Sequence, residues 1–330
     1  MRIGLTYDLQ TDPLDERQAE FDPPATITAL SGALQALGHG VLPLGGAVQL
    51  LHDLGQLREV DLVFNIAEGT DARCRESWVP MLLDLQRVPY VGSDPLALAL
   101  GLDKAMTKKL AVAEGLRTPH WISLEHPRQL ATALPLSFPV IVKPRWEGSG
   151  RGIDQEAVVY TRDALSQRVE WLTARCQGPV LLEECIAGGE LTVLVIGNDP
   201  PIALPPIQRP IDPVSSLSYH VVKPAPSRWD CPLRLDAALE TEARRMAVTM
   251  FETIGCRDVA RVDLRVARNG TLYLLEINPL PSFDPQGSFG LLADSLGTTY
   301  AELVGRVLEA ALRRIGSRAA RNAQACGARD

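Results

Sequence analysis

Hydrophobic positions in the first ninety residues follow the pattern of alternating strands and helices. Residues 1–8 (MRIGLTYD) form a short apolar run typical of a buried strand, and residues 23–40 carry apolar positions at helical spacing after two prolines. Further apolar runs follow, and a second helical pattern covers residues 76–88. Strands that alternate with helices predict an open parallel sheet, in which ligands bind beyond the carboxyl ends of the strands.

Residues 261–278 (RVDLRVARNGTLYLLEIN) alternate between polar and apolar positions on both sides of Asn269-Gly270, a pair that favours a two-residue hairpin turn. Such a turn places Asp263 directly opposite Glu276, on one face of the hairpin, because side chains alternate along a strand. The other face is then expected to be apolar and to point into the core: Val262, Leu264, Val266, Tyr273, Leu275 and Ile277.

Two carboxylates that face each other across a hairpin repel, so the pair of Asp263 and Glu276 needs an explanation. The pair is tolerated if it is exposed, if one acid is protonated, or if a cation lies between them. The same register places Asn278 beside the pair, opposite Arg261, and Asp, Glu and Asn oxygens are ligands that suit Mg²⁺ or Mn²⁺. A metal site is the preferred interpretation, and a solvated polar face is the alternative.

Residues 143–152 (KPRWEGSGRG) place a lysine at the end of an apolar run and three glycines beyond it. Glycines let backbone N–H groups approach a phosphate closely, and Lys143 would add a point charge. The segment matches neither GxxxxGK[ST] nor a GxGxxG that opens a helix, so by itself it is weak evidence for a nucleotide site. Lys104 and Lys223 are further candidates for phosphate contacts, although a single lysine is more often solvated.

Composition and charge exclude several classes of protein. The chain has 330 residues and a formal net charge of −7, which argues against a general nucleic-acid-binding protein. No apolar stretch approaches the ~18 residues of a membrane span, and the first residues lack the features of a signal peptide. Six cysteines without a CxxC pair indicate neither a disulfide framework nor a zinc site. We expect a cytoplasmic protein with no membrane or nucleic-acid partner.

The length of the chain favours two or three domains. We expect an N-terminal α/β domain over residues 1–96, a central subdomain with the glycine-rich loop over residues 97–178, and a C-terminal subdomain with the metal site over residues 179–315. Residues 215–232 lack any periodicity, and a loop of that length is more often functional than decorative. The tail, residues 316–330, is expected to be disordered.

Five segments follow one another in a specific order: LDKAMTKK, VIVKPRWEGSGRG, VLLEECIAGGELTV, RVDL and LEINPLPSF. This order, over roughly residues 1–315, resembles the ATP-grasp superfamily and, within it, the D-alanine–D-alanine ligase family. The resemblance implies an α/β protein: an ATP-grasp fold with an N-terminal open parallel-sheet (Rossmann-like) domain, and ATP with Mg²⁺ or Mn²⁺ between two antiparallel sheets. It also implies a cytoplasmic, ATP-dependent ligase of peptidoglycan synthesis that joins small amino-acid substrates through an acyl phosphate. The family commonly forms homodimers.

The resemblance assigns a role to each residue that matches a family motif. The nucleotide candidates are Lys104, Lys143 and Lys223 at the phosphates, Ser149 and Gly150 in the loop that closes over the γ-phosphate, Glu183, Glu184 and Ile186 at the adenine hinge, and Glu190 at the ribose. The magnesium candidates are Asp263, Glu276 and Asn278. The substrate candidates are Glu20, Glu68, Tyr219 in the lid loop, and Ser288. Arg261, Ser149 and Glu20 are the catalytic candidates, with Arg261 stabilising the oxyanion.

The resemblance is weaker at the substrate end. Glu68 stands where the family has a histidine, Pro224 replaces a tyrosine beside the lid lysine, and Ser288 comes one residue late. Glu68 and Glu20 together could still bind an ammonium group. Two assignments therefore stay open: a D-alanine pair, or a different carboxylate–amine pair as in a dipeptide or natural-product ligase. A non-catalytic nucleotide-binding protein is a third reading, disfavoured because the metal, lysine and arginine candidates are all present.

Overall fold

The N-terminal part of the chain forms the open parallel sheet that the sequence predicts. A computed structural model describes residues 1–130, 134–176, 178–212, 217–218 and 235–327, with side chains to residue 317. The strands are β1 (Arg2–Thr6), β2 (Gly40–Pro43), β3 (Leu62–Asn65) and β4 (Tyr90–Val91), in the spatial order β2-β1-β3-β4. The helices that connect them are α1 (Pro24–Ala36), α2 (Ala47–His52) and α3 (Trp78–Gln86).

The local sequence explains where these elements begin and end. Ile3 and Leu5 of β1 are fully buried, as expected for a strand covered on both faces. Helix α1 begins at Pro24, whose fixed φ suits the first helical position, and Gly38 just beyond its end has φ +85°, a conformation that other residues rarely adopt.

The central sheet is antiparallel and has the strand order β5-β8-β6-β7. Its strands are β5 (Trp121–Leu124), β6 (Val140–Pro144), β7 (Val158–Val159) and β8 (Val180–Glu184), and α6 (Arg162–Arg175) packs on one face. Before it in the chain, α4 (Pro95–Leu102) and α5 (Lys104–Ala113) are each capped by an aspartate side chain. The expected boundary at residue 178 assigns β8 to the C-terminal subdomain, but β8 pairs with β5 and β6 of the central sheet.

The C-terminal sheet is also antiparallel, and two further helices follow it. Its strands are β9 (Gly188–Ile196), β10 (Ile202–Ala203), β11 (Ile207–Arg209), β12 (Val259–Ala267) and β13 (Leu272–Asn278), and the helices of this part are α7 (Ala237–Ile254), α8 (Ser288–Ser295) and α9 (Tyr300–Gly327). Helix α9 packs on α1 and completes the core of the N-terminal sheet. Its backbone is helical to Gly327, so it continues into the tail for which we expected disorder. None of the helices in the described ranges is both long and apolar enough to span a membrane.

The β12–β13 hairpin has the predicted register at one end and a different turn at the other. Asp263 lies opposite Glu276, as predicted. The N–H of Ala267 donates to the carbonyl of Thr271 at 2.9 Å, so residues 268–270 form a turn of three residues rather than the predicted two. A bulge in β13 compensates for the additional residue, because the register shifts by one position between Asp263 and Leu264.

Because of this bulge, the side chains of β13 from Leu272 to Leu275 point to the opposite faces of the strand from those predicted. Leu272 and Leu274 are buried in the core of the C-terminal sheet. Leu275 instead lines a cavity, and Tyr273 is only partly buried. The prediction that Tyr273 and Leu275 point into the core was therefore wrong, because alternation was counted through a bulge that the sequence does not mark.

Candidate active site

The functional face of the hairpin carries Asp263, whose carboxylate has several partners. Thr192, on the neighbouring strand β9, donates its hydroxyl to Asp263 Oδ1 at 2.7 Å. Arg261 Nη2 lies 2.9 Å from Asp263 Oδ2, and Arg261 Nε donates to the same oxygen at 3.0 Å. Asp263 is therefore held in one orientation, with its negative charge offset by the guanidinium group.

Glu276, across the hairpin, is paired with a lysine from another element. Lys104 Nζ, at the start of α5, lies 3.1 Å from Glu276 Oε2. Burial raises the pKa of Glu276, but the charges of Lys104, Lys143 and Arg261 outweigh burial and lower the pKa to about 2. Each of the two opposed carboxylates thus faces its own cation.

The same face offers oxygen atoms that fit a divalent cation. Asn278 donates from Nδ2 to Asp263 Oδ2 at 3.3 Å, which leaves its Oδ1 as the atom available to a metal. Within the described ranges, no three His, Cys, Asp or Glu side chains cluster as a metal site. A metal at the hairpin would therefore use the two carboxylates, the Asn278 amide oxygen and oxygens from a bound ligand. That hard-oxygen set suits Mg²⁺, which usually keeps ligands from phosphate and water.

Lys143, at the end of β6, belongs to a buried ion-pair group with Glu183 of β8. Lys143 Nζ lies 3.2 Å from Glu183 Oε2, and Lys108 Nζ lies 2.7 Å from the same oxygen. Burial lowers the pKa of Lys108 to about 8. For Glu183, burial raises the pKa, but the two lysines outweigh it and lower the pKa below its ordinary value. The Glu183 side chain therefore positions Lys143, and Lys108 is a contributor that sequence reasoning missed.

The glycine-rich loop is attached to the N-terminal domain. Gly148 donates its N–H to Glu20 Oε1 at 2.5 Å, and Arg75 Nη2 lies 2.5 Å from Glu20 Oε2. Arg75 Nη1 also donates to the carbonyl of Trp146 at 2.9 Å. One carboxylate oxygen of Glu20 therefore holds the loop at Gly148, and the other pairs with Arg75. Arg75, which the sequence did not single out, also holds the loop at Trp146.

Ser149 and Gly150 lie at the tip of this loop, and both line the cavity. Ser149 has φ +47° and Gly150 has φ +73°, so two successive residues adopt the left-handed conformation. Glycine adopts it readily, whereas serine does so at a cost, which is a common feature of functional loops.

Backbone N–H groups at the hinge between β8 and β9 are hydrogen-bonded to neighbouring segments of the chain. Glu184 and Cys185 donate their N–H groups to the carbonyls of His120 and Pro139, at 3.0 and 2.8 Å. The cavity beside the hinge has apolar walls, which suit a flat base: Ile141, Ile153, Cys185, Ile186, Leu217 and Leu275.

Glu190 lies on β9, at the same end of the cavity. It accepts a hydrogen bond from the Ser218 hydroxyl, and Arg265 Nη1 lies 3.6 Å from Glu190 Oε2. Its carboxylate lines the cavity beside the apolar walls, which is compatible with contacts to ribose hydroxyl groups.

At the opposite end, Ser288 begins helix α8 and lines the cavity. The guanidinium group of Arg209, on β11, donates to the Ser288 hydroxyl. A guanidinium beside the first turn of a helix is suited to a carboxylate, because both present N–H donors and positive charge. Arg209 was not among the sequence candidates, since nothing in its local sequence marks it.

Acidic side chains also gather at this end of the cavity, which carries the substrate candidates and is named the substrate end. Glu68 lines the cavity, as do Glu76 and Asp22, which sequence reasoning missed. Burial raises the pKa of Glu76 to about 8 and that of Asp22 to about 7. Burial, with the charges of Glu76 and Glu20, also raises the pKa of Glu68 well above its ordinary value.

Every candidate that falls within the described residues lines one cavity of about 460 Å³. The set comprises Glu20, Glu68, Lys104, Lys143, Ser149, Gly150, Glu183, Glu184, Ile186, Glu190, Arg261, Asp263, Glu276, Asn278 and Ser288. Tyr219 and Lys223, and with them the expected lid contact, lie outside the described residues. The cavity is bounded by the central sheet, the C-terminal sheet and the loops of the N-terminal domain, so three parts of the chain build one site.

The chain is similar to known proteins over most of its length. The family model described as "D-ala D-ala ligase C-terminus" matches residues 110–309. The chain is 35% identical over 286 residues to a protein named D-alanine–D-alanine ligase from Xanthomonas axonopodis, covering 85% of this chain and 87% of that one. It is also 32% identical over 293 residues to "Uncharacterized protein y4sG" of Sinorhizobium fredii, covering 86% of both chains.

Solved structures show the same fold. The D-alanine–D-alanine ligase of Bacillus anthracis complexed with ATP superposes with a TM-score of 0.75 at 23% identity, over 96% of this chain and 99% of that one. The VanG D-Ala:D-Ser ligase of Enterococcus faecalis superposes with a TM-score of 0.74 at 20% identity, over 94% and 99%. With the family match over most of the chain and the ATP-grasp fold, this chain belongs to the D-alanine–D-alanine ligase family, whose members are ATP-dependent ligases that form a C–N bond.

Proposed function

We propose that the protein uses ATP and Mg²⁺ to phosphorylate a substrate carboxylate and then joins the resulting acyl phosphate to an amine. The observation that carries this proposal is the single cavity that contains Lys104, Lys143 and the three oxygen donors of the hairpin. The family uses ATP with Mg²⁺, and these residues have the chemistry to bind both. The first substrate pair to test is two molecules of D-alanine.

The chain's own residues account for the steps of this reaction. Lys104 and Lys143 bind the phosphates, and Ser149 with its loop covers the transferring phosphoryl group. A magnesium ion held by the hairpin would offset charge on the phosphates.

Attack by the amine nitrogen on the acyl carbon then produces a tetrahedral oxyanion. Arg261 is placed on the hairpin to stabilise that charge, because Asp263 orients its guanidinium group. Collapse of the oxyanion breaks the acyl C–O bond, releases inorganic phosphate and, with loss of a proton from the nitrogen, leaves the amide.

The substrate end supports a second candidate, a ligase of the same chemistry that joins a different pair. Both oxygens of Glu20, the residue matched to the acid that binds the first ammonium group, are already engaged by Gly148 and Arg75. Glu68 lies where the family has a histidine. These two observations favour recognition of an amino acid by a different set of contacts.

ADP release with Mg-ATP distinguishes these assignments. D- and L-amino acids are supplied singly and in pairs, and the product mass is determined. D-Alanyl-D-alanine as the product supports the first assignment, and turnover with another pair supports the second. No ADP release with any pair, together with tight ATP binding, would instead identify a non-catalytic nucleotide-binding protein.

We propose in addition that the protein acts in the cytoplasm, where ATP is made, and as a homodimer, the common state of the family. Multi-angle light scattering of the purified chain tests the second point. A mass near that of one chain, 35.9 kDa, would contradict it.

A further inference from the structure

The substrate end of the cavity contains more acidic side chains than cations that pair with them. Glu20 is paired with Arg75, and Glu147 with Arg151, whose Nη1 lies 3.0 Å from Glu147 Oε2. The remaining carboxylates of the cavity's N-terminal wall are those of Asp22, Glu68 and Glu76. None of the three has a hydrogen bond or ion pair from its side chain to any other described residue.

Burial makes this lack of partners costly. Asp22 and Glu76 are each only 7% exposed, and both line the cavity. The charge of Arg75 acts on Glu68 and Glu76 without forming an ion pair with either. Buried carboxyl groups that have no hydrogen bond or ion pair lose their hydration, so they normally face a ligand, a metal or another charged group. The three groups line the same cavity, and the charges of Glu76 and Asp22 both act on Glu68, so a ligand in that cavity faces all three.

The chemistry of that ligand follows from the charges. In the described part of the chain, these acids do not form a cluster placed to hold a metal ion. An organic cation, which is larger and donates several hydrogen bonds, fits them better. A single α-ammonium group would neutralise one of the three carboxylates, whereas a second cationic group on the substrate would neutralise another.

We propose that the substrate end binds a diamino carboxylic acid, with its two ammonium groups held by Asp22, Glu68 and Glu76. The proposal rests on the proposed ligase function, since it names the substrate class of the same site. The carboxylate of this substrate would face Lys104, Arg261 and the loop, where phosphorylation takes place. Recognition then depends on charges that a neutral amino acid leaves unpaired.

Matched pairs of amino acids test this selectivity directly. ADP release with Mg-ATP is measured for 2,4-diaminobutyrate against 2-aminobutyrate, ornithine against norvaline, and lysine against norleucine, in both enantiomers, with D-alanine included. We expect at least one diamino acid to exceed its neutral partner by ~100-fold or more in kcat/KM, because a site built for a polar group rejects analogues that lack it.

Two variants connect the selectivity to these residues. Glu76→Gln and Asp22→Asn keep the side-chain shape and remove the charge, so each should lower the ratio of kcat/KM for the diamino acid to kcat/KM for its neutral partner by ~10-fold or more. Glu170→Gln, an exposed position on α6, is the matched control and should leave the ratio unchanged. Thermal unfolding of each variant shows that it is folded.

The possible outcomes separate this inference from the proposed function. Turnover of D-alanine or other neutral amino acids without preference for any diamino acid overturns the inference and leaves the ligase function intact. No turnover with any amino acid defeats the proposed function. Calorimetric titration with the same pairs then tests the subsite alone: stronger binding of a diamino acid, lost in Glu76→Gln, supports it, and equal or absent binding overturns it.

Discussion

The two ends of the cavity handle charge in opposite ways. At the nucleotide end each acid faces a cation: Asp263 faces Arg261, Glu276 faces Lys104, and Glu183 faces two lysines. At the substrate end, Asp22, Glu68 and Glu76 face the cavity without partners among the described residues. The nucleotide end is thus balanced before any ligand arrives, whereas the substrate end carries carboxyl groups that a cationic ligand would ionise and pair with.

The contrast suggests which end can change during divergence. A charge-balanced network loses a partner when any one member is replaced, so substitutions there are costly. Carboxylates that depend on the ligand can be exchanged singly, with a change of substrate as the result. This agrees with the sequence, in which motifs of the nucleotide end match the family and those of the substrate end depart from it.

The largest expected effect is at the hairpin. Asp263→Asn removes the charge that would bind Mg²⁺ and that orients Arg261, so turnover should fall by ~10³-fold or more. Steady-state ADP release measures it, and Asp294→Asn, at an exposed position of α8, is the matched control. Undiminished activity in a folded Asp263→Asn protein would rule out the metal assignment.

A second change at the hairpin keeps the charge and alters the geometry. Arg261→Lys loses the planar fork that contacts Asp263 through two nitrogens, and we expect kcat to fall by ~10²- to 10³-fold. The binding of ATP, followed by calorimetry, should change little, because Arg261 is assigned to the oxyanion. Equal losses in ATP affinity and in kcat would place Arg261 at the nucleotide instead.

A smaller effect is expected for the contact between Glu20 and the glycine-rich loop. A Cβ at Gly148 would lie 2.5 Å from Glu20 Oε1, so Gly148→Ala should displace the loop and lower kcat by ~10-fold. Gly32→Ala in α1 is the matched control, because a Cβ there meets no atom within 4 Å. The control should retain full activity, and its free energy of unfolding should rise by ~0.5–1 kcal/mol. Equal activity of the two variants would show that the Glu20 contact does not position the loop.

The pH dependence of the free energy of unfolding tests the buried acids of the substrate end. Because burial raises the pKa values of Glu76 and Asp22 to about 8 and about 7, the folded protein holds protons that the unfolded chain has already lost. Without ligands, stability should therefore fall as pH rises from about 5 to about 8. Glu276, whose pKa is lowered to about 2, contributes stability that is lost only below this range.

Glu76→Gln should reduce this slope, since glutamine does not titrate. Scanning calorimetry at intervals of one pH unit measures the melting temperature of both proteins, and Glu170→Gln again serves as the control. A melting temperature that rises between these pH values, or an identical slope in the variant, would show that Glu76 is not a buried acid with a raised pKa.

The hairpin shows how local sequence can predict a contact while misjudging the structure around it. Asp263 and Glu276 face each other as predicted, although the turn has three residues rather than two. The bulge that restores the register lies beside Leu274, whose N–H donates to the carbonyl of Arg117 at 2.7 Å. That partner is remote in the sequence, so alternation along β13 could not reveal the bulge or the position of Leu275.

The sequence by itself determined the parallel N-terminal sheet and the family, and it predicted the residues that line the nucleotide end of the cavity. These follow from periodicity and from motifs whose spacing is local, because neighbouring residues fix the direction of each side chain. The tertiary structure alone decided that Glu20, Arg75 and Gly148 meet, that Lys108 shares Glu183 with Lys143, and that Glu76 and Asp22 face the cavity unpaired. Ion pairing and burial depend on distances between residues far apart in the chain, and only the folded arrangement of the three sheets sets those distances.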